Sequence, residues 1–379
     1  MNDIKVLSLG YTRSLWDERE INDRSRMGAY AQLVQKYTVI AVALRRHGLD
    51  RRIFAPNFTG IPSNGRTTIE NVFRIPLLAY RELKQERYSL IQAQDPAFLG
   101  LVAVLLGRWF GVPVNVCVYG ANPFDRYWCR ASWLTRLVAL PARWVLRQCA
   151  GIQVDGRQTE RSLVAERIAP EKIYRKPMVP VDLDEFFQLV PRTVDRGRPL
   201  RLLFVGRLAR QKNLEGLLDA LKIAGKNVSL TLAGAGPDEG KLRRRVERLG
   251  LAERVSFRGQ VDRSGLLREF AAADALVLPS WYEGFPRVLL EAAAAGLPAI
   301  ATAVSGADEM IEEGASGFIV PVGDTASVAD RITRLADDAS VRAGMGVAAR
   351  AHALRVLATA DKSDVQQHIW REVAARVGA

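Results

Sequence analysis

Cysteine and histidine are scarce in this chain, with three of each. Cys117, Cys129 and Cys149 are odd in number, widely spaced and free of any CxxC pair. That argues against a disulfide framework or a cysteine zinc site and fits a reducing compartment. His47, His352 and His368 are scattered without HExxH or other ligand spacing, which excludes histidine-based metal catalysis. Long hydrophobic runs are lacking too: the longest, from Ala97 to Gly107, is too short to span a bilayer and ends at Arg108. The first residues, MNDIKVLSLG, form one short apolar strand with no basic flank or long apolar stretch, so no signal peptide and a cytoplasmic location are expected. Short repeats and low-complexity tracts are absent from the sequence.

The chain has 379 residues, which suggests about two domains. Hydrophobic residues make up 48% and charged ones 25%, enough to build a large core and too apolar for disorder. Lys plus Arg total 54 against 41 Asp plus Glu, a net +13 that suits polyanions, anionic lipid or a phosphorylated small substrate.

Short β-rich runs alternate with longer helical stretches from end to end, the pattern of parallel sheets flanked by helices. In the first half KVLSLG, RRIFAP, LIQAQ, VNVCVYG and GIQVDG read as strands, with helical segments such as Met27 to His47 and Phe98 to Gly111 between them. Residues 1–180 are thus expected to form one doubly wound domain. Residues 181–199, proline-bearing and dispersed in charge, read as a linker. A second strand series, RLLFVG, VSLTLAG, RVSFRG, ALVLPS, PAIATA and GFIVP, fills 200–355, with helices starting near Asn213, Asp238, Arg263, Pro286, Gly306 and Thr325. Residues 356–379 are expected to form a terminal helix packing back toward the first domain. Two such α/β halves place a ligand at the carboxyl ends of their strands, in a cleft between the domains.

The most informative stretch is SWYEGFPRVLLEAAAAG, where Glu283 and Glu291 stand around a strand-to-helix turn. Gly284 lets the backbone approach a ligand, and Pro286 suits the first turn of the helix, whose N–H groups can bind an anion. One carboxylate can hold a sugar and the other a ribose. The plainer reading makes Glu283 an acid favoured by the helix dipole and Glu291 a solvated residue. In FVGRLARQKNLEGLL, Arg207 and Lys212 follow a strand and Gly206, with Asn213 as a helix cap. A planar fork and a mobile point charge together can neutralise a diphosphate. The run LTLAGAGPDEG contains Gly234, Gly236 and Gly240, but a dinucleotide fingerprint would need glycine where Glu239 stands. Asp182–Leu183–Asp184 mimics a paired-Asp metal motif inside the linker and is read as surface or capping residues, so no metal site is inferred.

On these residues the chain resembles the retaining glycosyltransferases of the GT4 family, which have the GT-B architecture of two Rossmann-like domains facing across a cleft. GR…K from Gly206 to Lys212, GAGP from Gly234 to Pro237 and EGFPRVLLEAAAAGLP from Glu283 to Pro298 carry the resemblance, strongly over residues 200–330. It implies that Arg207 and Lys212 hold the diphosphate, that Glu283 with the Gly284–Phe285 backbone holds the donor sugar, that Glu291 holds the ribose, and that Gln260–Val261 meets the base. The nucleotide sugar is a substrate and no cofactor is implied. The first half is similar more weakly, through QAQDP with Asp95 and VYGANPF with Tyr119 and Asn122. Many relatives have a histidine near Tyr119 and a Gly-Gly loop after the first strand. Here that loop runs from Gly10 through Tyr11, so Gly10, Asp95, Tyr119 and Asn122 stand as candidates for the acceptor side. The implied activity is metal-independent transfer from a UDP- or GDP-sugar to a saccharide or lipid-linked acceptor in cell-surface polysaccharide or glycolipid synthesis. The alternatives are a GT-B sugar-nucleotide epimerase and a basic nucleic-acid-binding protein, the latter supported by charge alone.

Between residues 101 and 150 there are six Arg and one acid, Asp125, interleaved with Trp109, Trp128, Trp133 and Trp144. This composition suits a peripheral segment over 126–147 on an anionic membrane, at the inner face of the plasma membrane. A packed amphipathic helix with solvated Arg side chains would share it.

Overall fold

A computed structural model describes residues 3–17, 21–120, 122–176, 183–189, 199–359 and 363–376. The chain divides into two compact units: Met1–Asp155 with Thr159–Pro177 and Asp361–Ala379, and Gly156–Gln158 with Met178–Ala360.

The first unit holds strands β1 (Lys5–Gly10), β2 (Lys36–Ala41), β3 (Arg52–Ala55), β4 (Phe58–Pro62), β5 (Leu90–Ala93), β6 (Val114–Val118), β7 (Gly151–Val154) and β8 (Ile173–Arg175). Their order in the sheet is β3-β4-β2-β1-β5-β6-β7-β8. Every neighbouring pair is parallel except the edge pair β3–β4. The helices are α1 (Ile21–Gln32), α2 (Thr68–Gln85), α3 (Phe98–Phe110), α4 (Arg126–Arg130), α5 (Trp133–Gln148) and α6 (Arg157–Ala165). Central strands such as β1, with Val6, Leu7 and Leu9 fully buried, carry apolar residues on both faces because helices cover both.

The same double burial explains one misreading. The stretch from Met27 to His47 is expected as one helix, yet α1 ends at Gln32 and Lys36–Ala41 is β2, in register with β1 from Lys5↔Lys36 to Gly10↔Ala41. A strand buried on both faces shows no alternation by which to tell it from a helix. Strands β4 and β8 also go unread in the sequence.

The second unit holds α7 (Asp184–Phe187), β9 (Leu200–Val205), α8 (Leu214–Ile223), β10 (Val228–Ala233), α9 (Glu239–Leu249), β11 (Val255–Gly259), α10 (Arg263–Ala272), β12 (Ala275–Leu278), α11 (Arg287–Ala294), β13 (Ala299–Thr302), α12 (Ala307–Met310), β14 (Gly317–Val320), α13 (Thr325–Asp337) and α14 (Ala339–Thr359). Its six strands run parallel in the order β11-β10-β9-β12-β13-β14. The strand order reverses at β9, between β10 and β12, which is where a doubly wound sheet opens for a ligand. The stretch read as linker contains α7, whose Phe186 is fully buried against Phe270 at 5.0 Å between ring centroids. Asp182 lies outside the described residues, and Asp184 begins α7. At the other end α14 continues to Thr359, past the expected boundary at 355.

The terminal helix α15 (Ser363–Ala374) belongs to the first unit. Trp370 is fully buried there, between Tyr30 and Tyr37 at 5.5 and 5.7 Å, and its indole N–H donates to Gln92 Oε1. Gln366 pairs with Gln153 and accepts from Lys176 Nζ at 2.9 Å. Burial pushes Lys176 down to about 8.

Candidate functional site

Four loops of the second unit leave the carboxyl ends of β9, β10, β11 and β12, and backbone contacts hold them together. Gly206 N–H donates to Ala233 O at 3.0 Å, Leu208 N–H to Ala235 O at 3.0 Å, and Gly234 N–H to Gly259 O at 2.8 Å. A Cβ on Gly234 would stand 1.9 Å from Gly206 O, and one on Gly236 would stand 2.2 Å from Leu208 O. These two glycines therefore let the loops touch backbone to backbone. This packing role is one the sequence does not reveal, whatever the glycines also do for a ligand.

The loop after β9 is fastened to the loop after β12 through Gln211, a residue without a role in the sequence reading. Its backbone carbonyl accepts from Trp281 N–H at 2.8 Å, and its side-chain amide donates to Tyr282 O at 2.8 Å. The double tie brings Lys212 Nζ to 2.5 Å from Glu283 Oε1, with both side chains largely buried. Ser280 Oγ donates to the same oxygen at 2.6 Å, and Thr302 Oγ1 donates to Ser280 O at 2.6 Å. Glu283 is thus held by a cation and a hydroxyl from two loops. Ser280 and Thr302 could have been suspected only from their polarity at the ends of otherwise apolar strands.

Arg207 does not join that pair: it is exposed at the mouth of the loop and makes no ion pair among the described residues. Asn213 occupies the position before α8 as expected, but in the left-handed conformation (φ 49°) and without a side-chain capping bond. Pro286 lies one residue earlier than expected, at the cap of α11, and two N–H groups of the first turn are already engaged: Arg287 with Phe285 O and Leu289 with Pro286 O. Gly306 (φ 80°) lies against Phe285 and Pro286, where a Cβ would meet both at 3.1 Å. Glu291, one turn into α11, is largely buried, and its side chain makes no hydrogen bond or ion pair among the described residues. Burial pushes its carboxyl above the usual range, opposed by the charges of Arg287 and Arg263. It is therefore not the solvated helical residue of the plainer reading. Val261 is half-buried between Gly259 (φ 66°) and Asp262, whose carboxylate caps α10 by accepting from Gly265 N–H at 2.7 Å.

In the first unit the loops after β1 and β5 meet at the corresponding strand ends. Gln94 Oε1 accepts from Tyr11 N–H at 3.0 Å, and a Cβ on Gly10 would strike the Gln94 side chain at 2.3 Å. Asp95 Oδ1 accepts from Ala97 N–H at 2.7 Å. Burial raises its carboxyl, countered by N–H groups at the start of α3 and by the Tyr11 hydroxyl. Asn122 spends its side chain inside the fold, accepting from Phe124 N–H at 3.0 Å and donating to Ser162 Oγ at 3.1 Å. Tyr119 lies beside Cys117, and burial raises its phenol. Gly10 and Asp95 are thus brought together, and Tyr119 and Asn122 lie on another loop.

Two doubly wound units of this topology define the GT-B class. Residues 34–177 match the Glycosyl transferase 4-like domain and residues 190–352 match Glycosyl transferases group 1. The chain belongs to the group 1 glycosyltransferase family.

Among curated relatives, it is 26% identical to the alpha-D-kanosaminyltransferase of Streptomyces kanamyceticus over 256 residues, 64% of this chain and 66% of that protein. It is 34% identical to the D-inositol 3-phosphate glycosyltransferase of Streptomyces avermitilis over 191 residues, 46% of this chain and 41% of that one. With the 2-deoxystreptamine glucosyltransferase of Streptomyces kanamyceticus it shares 29% over 352 residues, 80% of this chain and 90% of the relative. The chain thus spans just under two thirds of the first of these relatives and under half of the second. Among solved structures, sucrose-phosphate synthase from Thermosynechococcus elongatus superposes with a TM-score of 0.76 at 20% identity, over 99% of this chain and 97% of that one. Anabaena HepE in complex with UDP-glucose superposes at 0.69 and 18%, over 98% and 99%. At these identities the structural likeness speaks for the fold.

Proposed function

We propose that this chain is a retaining glycosyltransferase that moves a sugar from a UDP- or GDP-sugar to an acceptor hydroxyl, in the building of a cell-surface polysaccharide or glycolipid. The observation that carries the reading is the meeting of four loops at the strand ends around the β9 switch point, with the Lys212–Glu283 pair joining the β9 and β12 loops and the buried carboxyl of Glu291 in the helix that follows the β12 loop. Lys212 and the exposed Arg207 receive the diphosphate. Glu283 and the Gly284–Phe285 backbone hold the donor sugar, Glu291 the ribose, and the Val261 loop the base. As the bond from the anomeric carbon to the diphosphate oxygen breaks, the acceptor oxygen bonds to that carbon on the same face. Its proton passes to the departing phosphate oxygen, so configuration is retained. Charge stabilisation by Lys212 and Arg207 supplies the catalysis, and no divalent metal is required.

The acceptor, a saccharide or a lipid-linked one, is taken by the first unit near Gly10 and Asp95. The chain works against the inner face of the plasma membrane through residues 126–147. No described helix is long and apolar enough to cross a membrane.

The test is a transfer assay with candidate acceptors in excess EDTA, with the product's anomeric configuration read by NMR. Retained configuration and full activity are expected. A strict need for Mn²⁺ or Mg²⁺, inversion, or an epimerised sugar released without acceptor would each overturn the corresponding part of the reading.

A further inference from the structure

The outer surface of the first unit's helix layer is apolar over three helices. The inner faces of α2, α3 and α5 all enter one core, through Ile75 and Ala79, Val102 and Ala103, and Val145 and Leu146. The helices also touch side by side. Tyr80 of α2 meets Phe110 of α3 at 5.4 Å, and Arg108 of α3 covers Trp144 of α5 at 5.1 Å while bonding to Gln148. Their remaining faces therefore share the solvent side of that layer.

On α2, Ile69, Phe73 and Leu77 recur at the spacing of one helical face, and all are exposed. Leu105 and Trp109 do the same on α3, and Trp133, Leu137 and Leu140 on α5. Ile69, Phe73, Trp109, Trp133 and Leu140 are each at least 70% exposed, at a location where folding leaves them nothing to pack on. Trp128 is buried and Trp144 is covered by Arg108, so only two of the four tryptophans that the sequence offers for contact are available.

Charge identifies the occupant. Helices α2 to α5 carry nine Lys or Arg and two Glu, and both Glu are engaged: Glu70 with Arg74, and Glu82 with Arg51. Arg108, Arg130, Arg136 and Arg147 are exposed around the apolar stripes. Aromatic and aliphatic side chains rimmed by arginine match an anionic bilayer interface. A nucleic acid would use the arginines and leave the stripes in water.

We propose that the exposed faces of α2, α3 and α5 form one docking surface for an anionic membrane, with α2 inserting alongside α5. This deepens the membrane part of the functional reading. Its distinctive element is α2, which has no tryptophan and whose Arg74, Arg81 and Lys84 are offset by Glu70 and Glu82, so little marks it in the sequence.

The experiment is co-sedimentation of the full chain with vesicles of phosphatidylcholine, alone or mixed with phosphatidylglycerol, at low and high salt. Three proteins are compared: wild type, the α2 variant Ile69→Ser/Phe73→Ser/Leu77→Ser, and the α5 variant Trp133→Ser/Leu137→Ser. Thermal melts and nucleotide-sugar turnover in solution serve as controls, and both should be preserved because the changed side chains are exposed. Wild type should pellet only with phosphatidylglycerol and keep a salt-resistant fraction. Each variant should lose about tenfold or more in partitioning. An α2 variant that pellets like wild type would remove α2 from the surface. A wild type that stays in the supernatant at low salt, or that dimerises through α2 without binding vesicles, would overturn the proposal. Vesicle binding without sugar turnover leaves this surface standing and removes the transferase reading, and turnover without vesicle binding does the reverse.

Discussion

Lys212 Nζ lies 2.5 Å from Glu283 Oε1, so the two residues expected to serve a ligand from separate motifs are first of all partners of each other. Removing either leaves the other charge largely buried and uncompensated, at a cost of about 1–3 kcal/mol. Lys212→Ala and Glu283→Ala should each lower thermal stability and also reduce transfer by about 10²–10³. The double variant Lys212→Met/Glu283→Leu should regain much of the stability and none of the activity. A double variant as unstable as the worse single, or active singles with donor saturating, would separate the pair from the chemistry.

Gly236→Ala should act through the loops and not through the ligand. Its Cβ would stand 2.2 Å from Leu208 O, a backbone atom that can retreat only by moving the loop that carries Lys212. Donor affinity should fall by about tenfold or more even though no ligand-binding side chain is lost. Unchanged affinity and melting temperature would show that the contact yields freely.

Glu291→Gln should stabilise the protein near neutral pH. The Glu291 carboxyl is raised by burial, so the folded state holds its proton more tightly than the unfolded chain does. Stability from this group is present below the ordinary glutamate pKa and is lost as pH rises through the raised one. Melting curves of wild type and variant should therefore diverge above that window and converge below about pH 4. Donor binding should weaken in the variant, the sign of a carboxylate kept at a cost in stability for the ligand. Parallel curves at all pH values would contradict the assignment.

Trp370→Ala tests the docking of α15 in the first unit. The ring is fully buried between Tyr30 and Tyr37 and its N–H is held by Gln92, so truncation should cost about 3–5 kcal/mol in urea denaturation. A loss under about 1 kcal/mol would mean that α15 contributes little to that unit.

The sequence exposed much of this because strand-to-loop junctions carry strong local signals: glycine where backbones approach, and charges straight after apolar strands. The helix starts near Asn213, Asp238, Arg263 and Thr325 fall within a residue of the observed ones. Strand β2 escaped because it is buried on both faces and shows no period-2 alternation. The pairing of Lys212 with Glu283 and the tie through Gln211 join residues about seventy positions apart, and a single sequence gives no measure of that distance. The α2 stripe escaped for the opposite reason. Ile69, Phe73 and Leu77 have the spacing of any buried helix face, and only the packed layer shows which face stays outside.

The most direct measurement is calorimetric titration of UDP-, GDP- and ADP-sugars into wild type and Lys212→Ala, at a temperature where both are folded. One nucleotide class should bind wild type at one site per chain, and the variant should lose at least tenfold in affinity for the nucleoside diphosphate. Binding of none of the three, or binding that ignores the loss of Lys212, would contradict the placement of a nucleotide-sugar site at the strand ends of the second unit.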